Sequence, residues 1–137
     1  MSFDVWVSRF REGAPDEFSR TTVLKAFGSH ITQLDATCWR VFYDEQNSCD
    51  VFAGGRSEGS DLITGFTVNR PCGDQRLWDA LISILRIPRM VLYFPGGRPL
   101  IADASTAEHL PADMIDAIGE PKCILLGEDI VHEIQNA

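Results

Sequence analysis

Apolar positions along this chain follow two rhythms, and the clearest passage lies between Asp74 and Gly97, DQRLWDALISILRIPRMVLYFPGG. Leu77, Trp78, Leu81, Ile82 and Leu85 recur at the spacing that gathers side chains on one face of a helix, while Asp79, Ser83 and Arg86 fall off that face. Asp74 is placed to cap the free amides of the first turn. Pro88 lacks an amide hydrogen and pushes Ile87 out of the helical region, so the helix is expected to end near Arg86. Met90 to Phe94 has no polar alternation, which predicts a strand covered on both faces. Pro95-Gly96-Gly97 ends it. Trp78 and Tyr93 read as core packing, the usual fate of large aromatics at such spacing.

The rest of the chain alternates between the same two rhythms. Phe3, Val5 and Val7 alternate with Asp4, Trp6 and Ser8, a period of two that predicts a first strand. Phe18, Val23, Leu24 and Phe27 suit a helix at 17–27, opened by Asp16 and Glu17 and closed by Gly28. Thr37–Tyr43 and Cys49–Ala53 flank a polar turn and predict an antiparallel hairpin. With Tyr43 opposite Ser48, Cys38 falls opposite Ala53, so a Cys38–Cys49 disulfide does not fit. Gly54 to Ser60 reads as a surface loop without a phosphate-cradle motif. Leu62–Val68 is a strand, and Pro99–Ala102 hairpins onto Met90–Phe94. Ser105-Thr106-Ala107-Glu108 matches a capping box, followed by a helix with Pro111 in its first turn and Gly119 after its end. Cys123–Leu126 reads as a last strand. Gly127 to Ile134 suits helix or strand, with Ile130, Val131 and Ile134 slightly favouring one helical turn or two. The fold class expected is α+β, with a mainly antiparallel sheet of about six or seven strands and about three helices in a single domain, 1–137.

Composition narrows the function classes. The chain has 137 residues and a net charge of −8, with a pI near 4.7. That balance opposes nucleic-acid and anionic-membrane partners, and it permits a basic protein partner. No apolar run reaches membrane-spanning length, and Met1-Ser2-Phe3-Asp4 lacks the pattern of a signal peptide, which predicts a cytoplasmic protein. Cys38, Cys49, Cys72 and Cys123 lack metal or redox spacing and read as reduced thiols. Cys72, just before a helix start, is the one candidate for a reactive thiol.

No motif for catalysis, metal or cofactor binding stands out. His30, His109 and His132 are scattered, and neither H-E-x-x-H nor G-x-S-x-G occurs. The expectation is a non-enzymatic protein without cofactor or metal. The candidate partner-binding residues are acidic: Asp44, Glu45 and Asp50 at the hairpin tip, and Glu58 and Asp61 around the glycine-rich loop. On one end of the sheet they would steer a cationic protein.

Four segments carry a resemblance: SFDVWVSRFREG, RPCGDQRLWDALISILR, MVLYFPGG and HLPADMIDAIG. They resemble small acidic bacterial proteins similar to immunity proteins of polymorphic toxin systems. These are the cognate inhibitors of toxins delivered by contact-dependent or type VI secretion. The resemblance implies a protein that binds and occludes a toxin domain. It brings no functional residue with it. The alternatives are a small enzyme with a loop-assembled site, or an interaction subunit unrelated to toxins.

Overall fold

The computed structural model describes residues 3–55 and 61–137. Along the chain lie β1 (Asp4–Arg11), β2 (Ala14–Pro15), β3 (Phe18–Ser19), α1 (Arg20–Phe27), β4 (Ile31–Gln33), β5 (Cys38–Asp44), β6 (Asn47–Gly55) and β7 (Leu62–Asn69). After these come α2 (Gln75–Leu85), β8 (Met90–Tyr93), β9 (Leu100–Ile101), α3 (Ala112–Ile118), β10 (Lys122–Cys123) and α4 (Gly127–Gln135). Short 3-10 helices occupy Gly28–His30 and Ala104–His109.

The fold is α+β. Its sheet has ten strands among the described residues, more than expected. Their order is β10-β9-β8-β1-β7-β6-β5-β4, with β2 added to β1 and β3 to β7. The sheet is mixed, because β10 runs parallel to β9 while the other pairs are antiparallel. The extra strands are two- and three-residue pieces too short to show a period in sequence.

The passage from Asp74 to Gly97 forms as expected. Asp74 caps α2 by accepting the Arg76 amide, and Arg86 is the C-cap. Leu77, Trp78, Leu81, Ile82 and Leu85 are all buried. They meet Val5, Val7, Phe66, Val68, Met90 and Leu92 of the sheet, and α1 and α4 contribute Val23, Phe27 and Ile130 to the same core. Met90, Val91 and Leu92 are fully buried, and β8 lies between β1 and β9. Tyr93 departs from the expectation. It is half-buried on the other face, stacked on Trp6 with ring centres 5.6 Å apart.

Five local details differ. α1 starts at Arg20, since Phe18 is drawn into a strand pairing with Ile63, and Ser19 supplies the cap instead of Asp16 or Glu17. In the hairpin, Phe42 rather than Tyr43 faces Ser48, and Cys38 faces Phe52. Tyr43 is an extra residue in a bulge, and its ring is held against His30 and Arg76, each centred 4.7 Å away. Asp103, not Ser105, caps the 3-10 helix, and Pro111 is the N-cap of α3 rather than part of its first turn. The last strand stops at Cys123, with Leu125 and Leu126 exposed. All four cysteines are free.

A second, smaller core lies across the sheet. Val91, Ile101 and Leu110 are buried there, with Phe10, Tyr93, Met114 and Ile115 packed around them. It covers the sheet only near β8, β9 and β1. The remainder of that face has no helix over it among the described residues.

Candidate functional site

Residues paired across neighbouring strands project to the same face. Tyr93 pairs with Trp6, Trp6 with Thr67, and Thr67 with Phe52. These four therefore form one row across the uncovered face. Phe52 is 43% exposed and Phe42, further out on β5, is 49% exposed. The next row is polar and runs Asp4, Asn69, Asp50, Arg40 and Thr32. Asn69 Nδ2 donates to Asp4 Oδ1 at 2.9 Å, and Arg40 Nε donates to Asp50 Oδ1 at 3.0 Å. The face thus offers an aromatic stripe beside a self-paired polar stripe. Ser8, on the same face, donates to or accepts from the Tyr93 hydroxyl at 3.1 Å, which fixes the Trp6–Tyr93 stack.

The acidic residues singled out from sequence do not form one group. Asp44 and Glu45 sit at the β5–β6 tip, and Asp50 lies on the open face in its pair with Arg40. Asp61 is at the opposite end of the sheet, where it accepts the Ser19 hydroxyl at 2.6 Å. Glu58 lies outside the described residues. The separation is geometric: consecutive turns of an antiparallel meander alternate ends, so the β5–β6 and β6–β7 connections face apart. Asp44 holds the turn by accepting from the Asn47 side chain and the Gln46 amide, which lower its pKa in that order. Sequence reasoning missed Trp6, Phe42 and Phe52 as surface residues. Trp6 lay on the polar phase of its strand, which was the signal available.

Behind the hairpin tip, a cleft of about 330 Å³ opens between α1 and α2, lined by His30, Tyr43, Arg76 and Asp79 among others. Several of its polar groups are engaged within the protein. Arg76 makes two bonds to Asp74, at 2.9 and 2.8 Å, and covers the Tyr43 ring. His30 Nδ1 lies 3.3 Å from the Phe42 carbonyl, and Asp79 accepts from Gln75 at 2.9 Å. Burial, and then Cys72, Cys49 and Asp74, push the Tyr43 phenol well above its ordinary value. Cys72 is half-buried against the same core as Cys49, whose thiol is raised to about 12 by burial and by Cys72.

The Arg76 side chain and amide hold Asp74 down at about 2. A free aspartate titrates near 3.9, so this group contributes stability that is complete above that value and disappears as pH falls through the folded pKa. Asp74→Asn keeps a capping side chain but removes the charge. The variant should therefore lose less stability than wild type between about pH 4 and pH 2. Urea unfolding across that window measures it, and equal losses would mean the Asp74 charge contributes nothing.

Among the described residues no group of three or more histidine, cysteine, aspartate or glutamate side chains is placed to hold a metal. The three histidines have separate surroundings. His109 Nδ1 accepts the Glu12 amide at 3.1 Å, and His132 is exposed on α4. No helix among the described residues is long and apolar enough to cross a membrane. No family model matches the chain, and neither a curated protein nor a solved structure matches it.

Proposed function

We propose that this protein is a non-enzymatic, cytoplasmic binding module for a basic protein partner, and that its particular role is that of an immunity protein occluding a cognate toxin. The observation that carries the reading is the uncovered side of β5, β6 and β7, with Phe52 and Phe42 about half exposed at 43% and 49%. Aromatic side chains that remain exposed beside a stacked Trp–Tyr pair are suitable anchors, since desolvated aromatics dominate binding energy at interfaces. The acid surplus supports a basic partner, and so do Asp44 and Glu45 at the tip next to this face. The immunity role rests on the resemblance of the four segments. In that role the aromatic stripe would cover the toxin's active surface and the tip carboxylates would speed encounter.

Division of labour between the two features gives a test. Replacing Asp44 and Glu45 by lysine should slow association with the captured partner by about tenfold at low salt, with little change in dissociation. The difference should shrink as salt is raised. Stopped-flow mixing reads both rates. An unchanged association rate would remove the hairpin tip from the interface.

A further inference from the structure

At the end of the sheet away from the hairpin tip, three guanidinium groups converge on a single carboxylate oxygen. Arg9 and Arg11 belong to β1, Arg89 directly precedes β8, and Asp16 follows β2. Asp16 Oδ2 lies 3.0 Å from Arg89 Nη2 and 3.6 Å from the Nε atoms of both Arg9 and Arg11. The other oxygen, Oδ1, accepts the Glu17 amide at 3.0 Å. Three positive charges thus share one negative charge, in a chain whose net charge is −8. Arg40–Asp50 and Lys122–Glu133, by contrast, each pair one cation with one carboxylate.

The surplus is not simply dispersed into water. The Arg9 and Arg89 side chains are only 19% and 20% exposed. Arg9 Nη1 donates to the Glu17 carbonyl at 3.2 Å, but the buried Nε–H groups of Arg9 and Arg89 have no partner within hydrogen-bond distance, Asp16 Oδ2 standing 3.6 Å from that of Arg9. Buried donors normally have partners, so two such groups in one cluster call for an explanation. Burial, then the neighbouring Arg89 and Arg11, depress the Arg9 pKa although Asp16 opposes them. Arg89 also adopts a left-handed backbone, φ 70°, which is costly for a residue with a side chain. It is held there by its amide donating to Thr106 Oγ1 at 3.1 Å and its carbonyl accepting the Phe10 amide at 3.2 Å.

We propose that Arg9, Arg11 and Arg89 form a binding site for a phosphate-class dianion, with Asp16 as the carboxylate that keeps the three guanidinium groups together when the site is empty. Two uncompensated positive charges match the charge of a phosphate group near neutral pH. Guanidinium forks suit its oxygens, and a tetrahedral anion can accept from more than one arginine at once. Arg11, 62% exposed, marks the side from which the anion arrives. A carboxylate monoanion leaves one positive charge unmatched and binds more weakly. The proposal goes beyond the partner-binding reading and does not depend on it.

The test is a titration of the nitrogen-labelled 137-residue chain with inorganic phosphate, followed through the arginine Nε–H signals by nuclear magnetic resonance. Chloride and acetate are titrated in parallel at constant ionic strength. Phosphate should produce saturating shifts at Arg9 and Arg89, acetate weaker ones, and chloride none that saturate. Arg11→Gln should weaken phosphate binding about tenfold, the loss of one charge-assisted hydrogen bond, without unfolding the chain because Arg11 is largely exposed. Arg11→Lys should retain part of the affinity. Equal, non-saturating shifts with all three anions, or an affinity unchanged in Arg11→Gln, would overturn the site. Acetate binding as tightly as phosphate would overturn its assignment to a dianion.

Discussion

Trp78→Ala is expected to cost about 3–5 kcal/mol of folding stability, measured by chemical denaturation. Trp78 is 5% exposed in the first turn of α2 and belongs to the main core with Leu77, Leu81 and the inward side chains of β1, β7 and β8. Removing the indole would leave a cavity in this close-packed core, which relaxes only in part around a lost side chain. Such a loss is a large share of the total stability of an ordinary domain. The same truncation at Trp6, which is half-buried on the uncovered face, should cost distinctly less. A loss near zero at Trp78 would mean that α2 does not organise the core.

Gly127→Ala should destabilise the protein by about 1–3 kcal/mol, against the usual sign for glycine in a helix. Helix propensity alone favours alanine by up to about 1 kcal/mol. Packing opposes it. A Cβ at Gly127 would stand 2.7 Å from the Trp78 carbonyl carbon and 2.8 Å from its oxygen. It would also meet Asp79 Oδ1 at 2.6 Å, but that side chain can turn away while the α2 backbone cannot. α4 would have to lift off α2 and loosen Ile130, which is fully buried. Asp129 holds the start of α4 by accepting the Leu125 and Leu126 amides at 3.1 and 2.9 Å, so the helix has little freedom to slide. Thermal unfolding gives the sign directly, and a stabilised variant would refute the close contact between the two helices.

The elements visible in sequence were those whose ends are set by their own residues. α2 has Asp74 as its cap and Pro88 beyond its end, and both act locally. Tertiary pairing decided the others. Phe18 suits a helix in isolation but is used in a pairing with Ile63. Tyr43 slips the hairpin by one residue because His30 and Arg76, distant in sequence, hold its ring. β10 exists because the Lys122 and Ile124 amides reach the Pro99 and Ile101 carbonyls, at 2.8 Å each, which no periodicity announces.

The candidate site was less legible than the fold. Charge pointed to the hairpin tip, and Asp44 and Glu45 are there. Grouping them with Asp61 ignored the alternation of turns between the two ends of a meander. The aromatic stripe was hidden for another reason. Phe52 lay unremarked within the extended run Cys49–Ala53, and only the extent of the second core shows that nothing among the described residues covers it. The arginine cluster joins positions 9, 11, 16 and 89, a conjunction made by the β1–β8 pairing and by the turn that returns Asp16 to the Arg9 carbonyl at 2.8 Å.

The central claim is that the uncovered sheet face binds a basic protein. Its most direct test is affinity purification from the native cell at low salt, using wild type and Trp6→Ala/Phe52→Ala in parallel, with both confirmed as folded. The account predicts that a basic polypeptide is retained by wild type, is lost from the double variant, and is still retained by Asp61→Asn at the far end of the sheet. Equal retention by wild type and the double variant, or no stable partner for either, would contradict it.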